Sequence, residues 1–397
     1  MALIIENRKI VGTIDNLEDK LEGKLPVDRL ELLYLVNSWG KNKYFEEHFE
    51  LDEHIENGYI PIECSEKKCY DLSKLDTSEF TDMSQLFYYS EFNGDISNWD
   101  VSNVTNMNMM FYNAKSFNQP LNNWDVSNVT NMTRMFCLTK EFNQTLDNWD
   151  VSIVTDMRKM FHNALKFNQP LDNWNVSNVT SMSQMFEDAK SFNQDISNWN
   201  VSNVTNMGGM FRNAEKFNQA LNNWNVSNVI DMKSMFFNTN FNQTLNNWNV
   251  SKVTNMRAMF CLAKEFNQNL NNWDVSNVTQ MSEMFQQASN FNQPLNFDTS
   301  KVVDMEGMFF YASSFDQAVN FDTSSVTNMY RMFYNAKSFK EKYNSGEPLP
   351  TNTDDIKEWL INNKERMNEI NVKNTHGEEI DDFFSKFEIN QSLFVKK

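Results

Sequence analysis

One text of about 25 residues returns from Leu75 to Phe339, and this self-similarity limits the chain of 397 residues more than any single motif does. In one copy it reads L-N-N-W-D-V-S-N-V-T-N-M-T-R-M-F-C-L-T-K-E-F, from Leu121 to Phe142. Its Trp position is filled by Trp99, Trp124, Trp149, Trp174, Trp199, Trp224, Trp248 and Trp273, by Leu75 at the start, and by Phe297 and Phe321 at the end. No linker separates the copies. A period in the twenties predicts a solenoid, because no single copy can bury its own apolar side chains.

Each copy carries two hydrophobic periods. Leu121, Trp124, Val126 and Val129 have the spacing L-x-x-L-x-L; Trp124 and Val126, two apart, share one face of an expected strand. Met132, Met135, Phe136 and Thr139 follow at i, i+3, i+4 and i+7, the stripe of a helix. Thr130 reads as the N-cap of that helix and Asn131 as its first turn. The F-N-Q segment that follows, with Pro120, Pro170 or Pro294 nearby in some copies, reads as the return turn. Stacked copies would pair their strands in parallel about 4.8 Å apart. The Asn of each F-N-Q turn (Asn118, Asn143, Asn168, Asn193, Asn218, Asn242, Asn267, Asn292) would then form a ladder. The expected fold is α/β: a solenoid of about eleven strand–helix units over residues 72–339.

The motif F-N-Q-P-L-x-x-W-D-V-S-N-V-T-x-M-x-x-M-F resembles the repeat of the BspA-like leucine-rich repeat family, known from bacterial surface antigens and mycoplasma lipoproteins. Met-x-x-Met-Phe recurs in ten successive copies. The resemblance covers residues 72–339 and implies a leucine-rich-repeat solenoid used for protein contact or adhesion.

The flanks lack the repeat. Residues 1–71 read as an N-terminal cap or a small α-rich module, with a helix over Val27–Asn37 presenting Leu30, Leu33 and Tyr34. Residues 340–397 read as a linker and helical C-terminal cap: a linker to Thr353, a helix over Asp354–Met367, a turn at Thr375–Glu378 and a second helix from Glu379 to Phe387. Acids exceed bases in both flanks and in the repeats, for a formal charge of -18, so binding to nucleic acid phosphates is not expected. The opening M-A-L-I-I-E is no signal peptide, and no apolar run is long enough to span a bilayer. An intracellular or virion location is the expectation. The sequons at Asn103, Asn128, Asn178, Asn203 and Asn277 read as by-products of the repeat. Cys137 and Cys261 lie five copies apart, beyond disulfide reach.

No nucleophile elbow, phosphate-binding glycine loop or metal-ligand spacing appears, so neither catalytic residues, cofactor nor metal is expected. His162 fills a slot that elsewhere holds Tyr, Cys, Glu, Arg or Phe, and reads as a solvent-facing residue. The sharper candidate is the row Asp100, Asp125, Asp150, Asn175, Asn200, Asn225, Asn249 and Asp274 on the outward side of the expected sheet. Calcium would need six to eight oxygens there; contact with a basic protein surface fits the row better. Lys115, Lys140, Lys166, Lys190, Lys216, Lys264 and Lys337, with Arg134, Arg158, Lys159, Arg212 and Arg257, fall on the expected helix side. Opposed acidic and basic faces suit side-by-side self-association. The expected function is a non-enzymatic interaction or structural scaffold, such as a component of a larger viral assembly. The alternatives are a cell-surface adhesin and an enzyme with its site in a terminal block. Replacing Asp100, Asp125 and Asp150 together by Asn should weaken partner association and flatten its salt dependence without unfolding the chain, as read by binding titrations at several ionic strengths.

Overall fold

The computed structural model describes residues 2–6, 9–14, 25–26, 32, 36 and 72–386. It divides into two compact units, Met1–Phe241 and Asn242–Lys397. In the first, strands β1 (Ala2–Glu6) and β2 (Lys9–Ile14) form an antiparallel hairpin. Strand β3 (Leu25–Pro26) pairs in parallel with β4 (Leu75–Asp76), which follows a short 3-10 turn at Leu72–Lys74. The edge of the first coil is therefore covered by a segment from the N-terminal flank. Leu32 and Val36, one helical turn apart, are helical and buried; the expected face of Leu30, Leu33 and Tyr34 lies outside the described residues.

Over residues 75–336 each unit is a stack of coils, and the inward side chains are those the spacing picks out. Every Trp of the repeat is buried, as are Met132, Met135, Phe136, Thr139 and their equivalents. Like stacks on like. Trp99 and Trp124 stack 6.4 Å apart with nearly parallel ring planes, and in the second unit Trp248 and Trp273 lie 6.3 Å apart. Phe136 and Phe161 are 5.6 Å apart in a parallel column. Each buried indole also needs an acceptor: Trp124 Nε1 donates to the Ile96 carbonyl of the preceding coil at 3.0 Å, and Trp273 Nε1 to Leu245 at 3.1 Å.

The backbone departs from the expected strand–helix unit. No α-helix forms over Met132–Thr139, and the segment Leu121–Val129 is turns rather than strand. The Trp124 amide closes on Leu121 and that of Val129 on Val126. Pairing between coils begins only at isolated parallel bridges such as Asn106–Asn131 and Asn131–Asp156. It then continues through the region expected to be helical, where Arg134, Phe136 and Leu138 donate to Arg158, Met160 and His162 of the next coil at 2.7–2.9 Å. The intervening amides of Met135, Cys137 and Thr139 close turns on Met132, Arg134 and Phe136. Alternate peptide groups thus point along the stack, and the others close overlapping turns. This turn ribbon places residues i, i+3, i+4 and i+7 inward just as a helix does, so the apolar pattern does not distinguish the two. Stacking decides it: a helix satisfies its amides internally, whereas the ribbon uses the identical neighbouring coil.

The ribbon requires a left-handed residue twice per coil, for example at Arg134 (φ 56) and Leu138 (φ 63). For a residue with a Cβ that costs about 1–2 kcal/mol, which the hydrogen bonds between coils offset at about 0.5–1.5 kcal/mol each. The second of these positions is often Asn or Asp (Asn113, Asn163, Asp188, Asn213, Asn238, Asn335), the residues that tolerate it best. Thr130 is not a helix N-cap: its Oγ1 donates to Thr105 O in the preceding coil.

The asparagine ladder forms as expected. Asn143 N donates to Asn118 Oδ1 at 2.9 Å, and Asn168 N to Asn143 Oδ1 at 2.9 Å. A second ladder uses the sequon asparagines, with Asn128 Nδ2 donating to Ser102 O at 2.8 Å and Asn277 Nδ2 to Ser251 O at 2.8 Å. These asparagines are structural parts of the coil, which accounts for the sequon recurring with the repeat.

In the second unit the stack ends on helices α1 (Lys337–Asn344) and α2 (Thr353–Lys386). The start of the expected linker is thus helix α1, and α2 runs without a break through the expected turn at Thr375–Glu378. Ile356, Leu360 and Met367 of α2 are buried on one stripe. Before it, Thr351 O and Thr353 Oγ1 accept from Arg331 N (2.8 Å) and Met329 N (2.9 Å), doing for the last coil what a further coil would do. No helix among the described residues is long and apolar enough to cross a membrane.

The ribbon and a helix respond oppositely to glycine. Gly209 (φ 64) already occupies the slot of Arg134. Arg134→Gly should leave stability unchanged or raise it by about 1 kcal/mol, because the left-handed strain goes; in an α-helix it would cost about 1 kcal/mol. The shift of the urea midpoint decides between them.

Candidate functional site

The Asp/Asn row lies at the surface, with Asp125, Asp150, Asn175, Asn200, Asn225, Asn249 and Asp274 exposed and Asp100 half-buried. It sits on a turn, not on a sheet face. Each side chain accepts from the amide two residues on: Ser102 N to Asp100 Oδ1 at 3.0 Å, Ser127 N to Asp125 Oδ1 at 3.1 Å, and Ser152 N to Asp150 Oδ1 at 2.9 Å. Asn175, Asn200, Asn225, Asn249 and Asp274 do the same for Ser177, Ser202, Ser227, Ser251 and Ser276. These are Asx turns, a local role that Asp and Asn fill equally well. The Ser152 hydroxyl and amide hold the Asp150 carboxyl below its ordinary range, and Ser276 acts likewise on Asp274.

None of the twelve Lys and Arg residues expected on the helix side is buried; they line the turn ribbon and its margin. Several meet acids there: Lys166 pairs with Glu141, Lys190 with Glu215 at 2.8 Å, Arg257 with Glu283 at 2.9 Å and Arg158 with Asp156 at 2.6 Å. This surface is a mosaic of both signs rather than a uniform basic face.

The ribbon carries the residues that differ from coil to coil. One slot holds Tyr88, Tyr112, Cys137, His162, Glu187, Arg212 and Phe237 in the first unit, and Cys261, Gln286, Phe310 and Tyr334 in the second. Stacking turns this slot into a column. Tyr88, Tyr89 and Tyr112 cluster at the start of the first unit, with Tyr88 and Tyr112 stacked 5.0 Å apart. In the second unit Phe310 stacks on Tyr334 at 5.5 Å, and the Arg331 guanidinium lies over Tyr330 and Tyr334 at 4.8 and 5.5 Å. Tyr311, Tyr330 and Tyr334 are 46, 43 and 40% exposed.

In mid-column the first unit holds charge. Glu187 is only 7% exposed. His162 Nδ1 lies 3.2 Å from its Oε2, and Arg212 Nε 3.5 Å from its Oε1; Gln184 Nε2 donates to Oε2. Arg212 rests in turn on the Phe237 ring at 4.6 Å. Burial pushes the Glu187 carboxyl up, but His162, Gln184 and Arg212 together outweigh it and hold the group below its ordinary range. His162 is therefore half-buried against a buried acid, not the solvent-facing residue its slot implied. Beside it Cys137 is a buried free thiol, pushed up to about 12 by burial.

Matches to one family model run in tandem over residues 62–154, 139–244, 237–346 and 271–383, and the model is described as "Mycoplasma protein of unknown function, DUF285". The chain belongs to this DUF285 family. No curated protein matches it. Among solved structures, one titled "Crystal structure of TLR13-ssRNA13 complex" is 10% identical over 67% of this chain, with a TM-score of 0.20. The match spans 46% of that chain, less than half its length, and a likeness so slight has no bearing on the fold.

For this DUF285 chain the variable ribbon column escaped the reading of single copies. The signal lay in comparing one slot across adjacent coils, where Glu187 stands between His162 and Arg212. A carboxyl held lower in the folded chain than in the unfolded one stabilises fully above its unfolded pKa, and that stabilisation is lost as pH falls through the folded value. Wild type should thus exceed Glu187→Gln in stability by about 1–2 kcal/mol at neutral pH, with the gap closing in acid, as read by thermal unfolding across pH.

Proposed function

We propose that this DUF285 chain is a non-enzymatic scaffold that binds a protein partner through its turn ribbon. The observation that carries the proposal is the division of labour within each coil. The Trp, Val, Met, Phe and Asn columns are nearly uniform and hold the stack, while the ribbon column varies and, apart from Cys137, Glu187 and Cys261, remains at least partly exposed. Variation on a rigid, evenly spaced backbone gives specificity without disturbing the core. Exposed Tyr and Arg, grouped at Tyr311, Tyr330, Arg331 and Tyr334, are the residue types that dominate binding energy at protein interfaces. The Asp/Asn row, already committed to its turns, adds a negative field that favours a partner with a basic surface and accelerates encounter. The resemblance to BspA-like leucine-rich repeats supports a contact role, inside a larger assembly or at a surface.

Co-purification of the full chain from its source, followed by mass spectrometry, names the partner, and surface labelling of intact cells separates an adhesin from an internal scaffold. With the partner in hand, Tyr311→Ser, Tyr330→Ser and Tyr334→Ser combined should weaken binding by about 30-fold or more. Asp100, Asp125 and Asp150 replaced by Asn should chiefly reduce the salt dependence. If the tyrosine variant binds normally while the Asp row variant does not bind, the ribbon is not the contact surface.

A further inference from the structure

The charged part of the ribbon column contains a second kind of chemistry. His162, Glu187 and Asp188 place one donor atom each within 4.8 Å of one another, and theirs is the one such group of metal-ligating side chains among the described residues. His162 Nδ1 is sealed from solvent 3.2 Å from Glu187 Oε2, in a contact not aligned as a hydrogen bond. Tetrahedral zinc, with bonds of about 2.0–2.1 Å to nitrogen and oxygen, holds neighbouring ligand atoms about 3.3 Å apart. The His162–Glu187 separation matches one edge of that tetrahedron.

The surroundings hold the other donors in place. Asn213 Nδ2 donates to Asp188 Oδ1 at 2.9 Å, the kind of outer contact that orients a ligating carboxylate. Arg212 engages Glu187 through Oε1 and leaves Oε2 towards His162. Gln184 Nε2 also reaches Oε2, and its amide must swing aside when an ion enters. One imidazole and two carboxylates suit a borderline ion rather than Mg2+ or Ca2+, which take oxygen donors in larger number.

We propose that His162, Glu187 and Asp188 form a binding site for a divalent first-row transition ion, represented by Zn2+, with its fourth position open to water or to a side chain of a docked partner. The site spans two adjacent coils and lies on the surface that varies between coils. It does not depend on the partner-binding reading of that surface, because the ion binds the isolated chain.

The test uses the full chain, stripped with a chelator and dialysed against Zn2+ with Mg2+ and Ca2+ in excess. Bound metal is then measured by elemental analysis. Wild type should hold one equivalent more than either His162→Tyr or Glu187→Gln. The first restores the residue that Tyr112 supplies two coils earlier in the same column, and the second keeps the shape of the buried side chain. Zn2+ should raise the thermal midpoint of wild type more than that of either variant, and Co2+ in its place should give the visible absorption of a tetrahedral site only in wild type. Equal metal content in wild type and Glu187→Gln, with both folded by circular dichroism, overturns the proposal. So does a Co2+ spectrum that His162→Tyr leaves unchanged.

Discussion

The structure depends on one constraint: alternate peptide groups of the turn ribbon find their partners in a neighbouring coil of the same register, or, at the last coil, in the segment around Thr351 and Thr353 that replaces one. Arg134, Phe136 and Leu138 donate to Arg158, Met160 and His162, and the same register recurs one coil later. A coil with a different turn would leave buried amides without acceptors, at about 1–3 kcal/mol each. The uniformity of the repeat is the sequence counterpart of this requirement. Once the register is fixed, the Trp, Met and Phe columns stack like on like, and the left-handed strain at two residues per coil is tolerated because the neighbouring coil enforces it.

The inward side chains were legible in the sequence; the backbone that carries them was not. Trp124, Met132, Met135 and Phe136 announce themselves by spacing, and the ladder of Asn118, Asn143 and Asn168 by its position. The i, i+3, i+4, i+7 stripe misleads because overlapping turns share it with the α-helix. A corrective signal was present in Asn113, Asn163, Asn213 and Asn238 at a slot where a helix has no need of asparagine. The Asp100–Asp125–Asp150 row looked like a display of charge because the strand reading placed it on a sheet. The Ser two residues after each of them, at Ser102, Ser127 and Ser152, is the mark of an Asx turn. In the C-terminal flank, α1 arises where Gly346, Pro348 and Pro350 implied a linker, since these breakers begin only after Asn344.

Function is the part that single copies conceal. His162 alone is a lone histidine in a permissive slot, and Glu187 alone is the one acid in a slot that elsewhere holds Tyr, Cys, His, Arg, Phe or Gln. Stacking makes them neighbours and buries the acid, so their chemistry belongs to the column. The same holds for Tyr311, Tyr330, Arg331 and Tyr334, which are scattered in the sequence but adjacent on the ribbon. Fold information in such a chain runs along each coil, and recognition information runs across coils.

The ribbon also gives each stack an electrical direction. In the second unit, Met305, Gly307, Phe309 and Tyr311 all aim their N–H bonds at the coil that follows, with their acceptor carbonyls facing back. Aligned peptide dipoles add, as they do in a helix, but here the axis runs across coils and the positive pole lies at the later end. Met329 and Arg331 are the donors at that pole, and the Thr351 carbonyl and Thr353 hydroxyl that meet them bring partial negative charge and no formal charge. The pole is thus hydrogen-bonded without being neutralised, and the aromatic patch around Arg331 sits in a more positive field than the acidic composition of the chain would suggest.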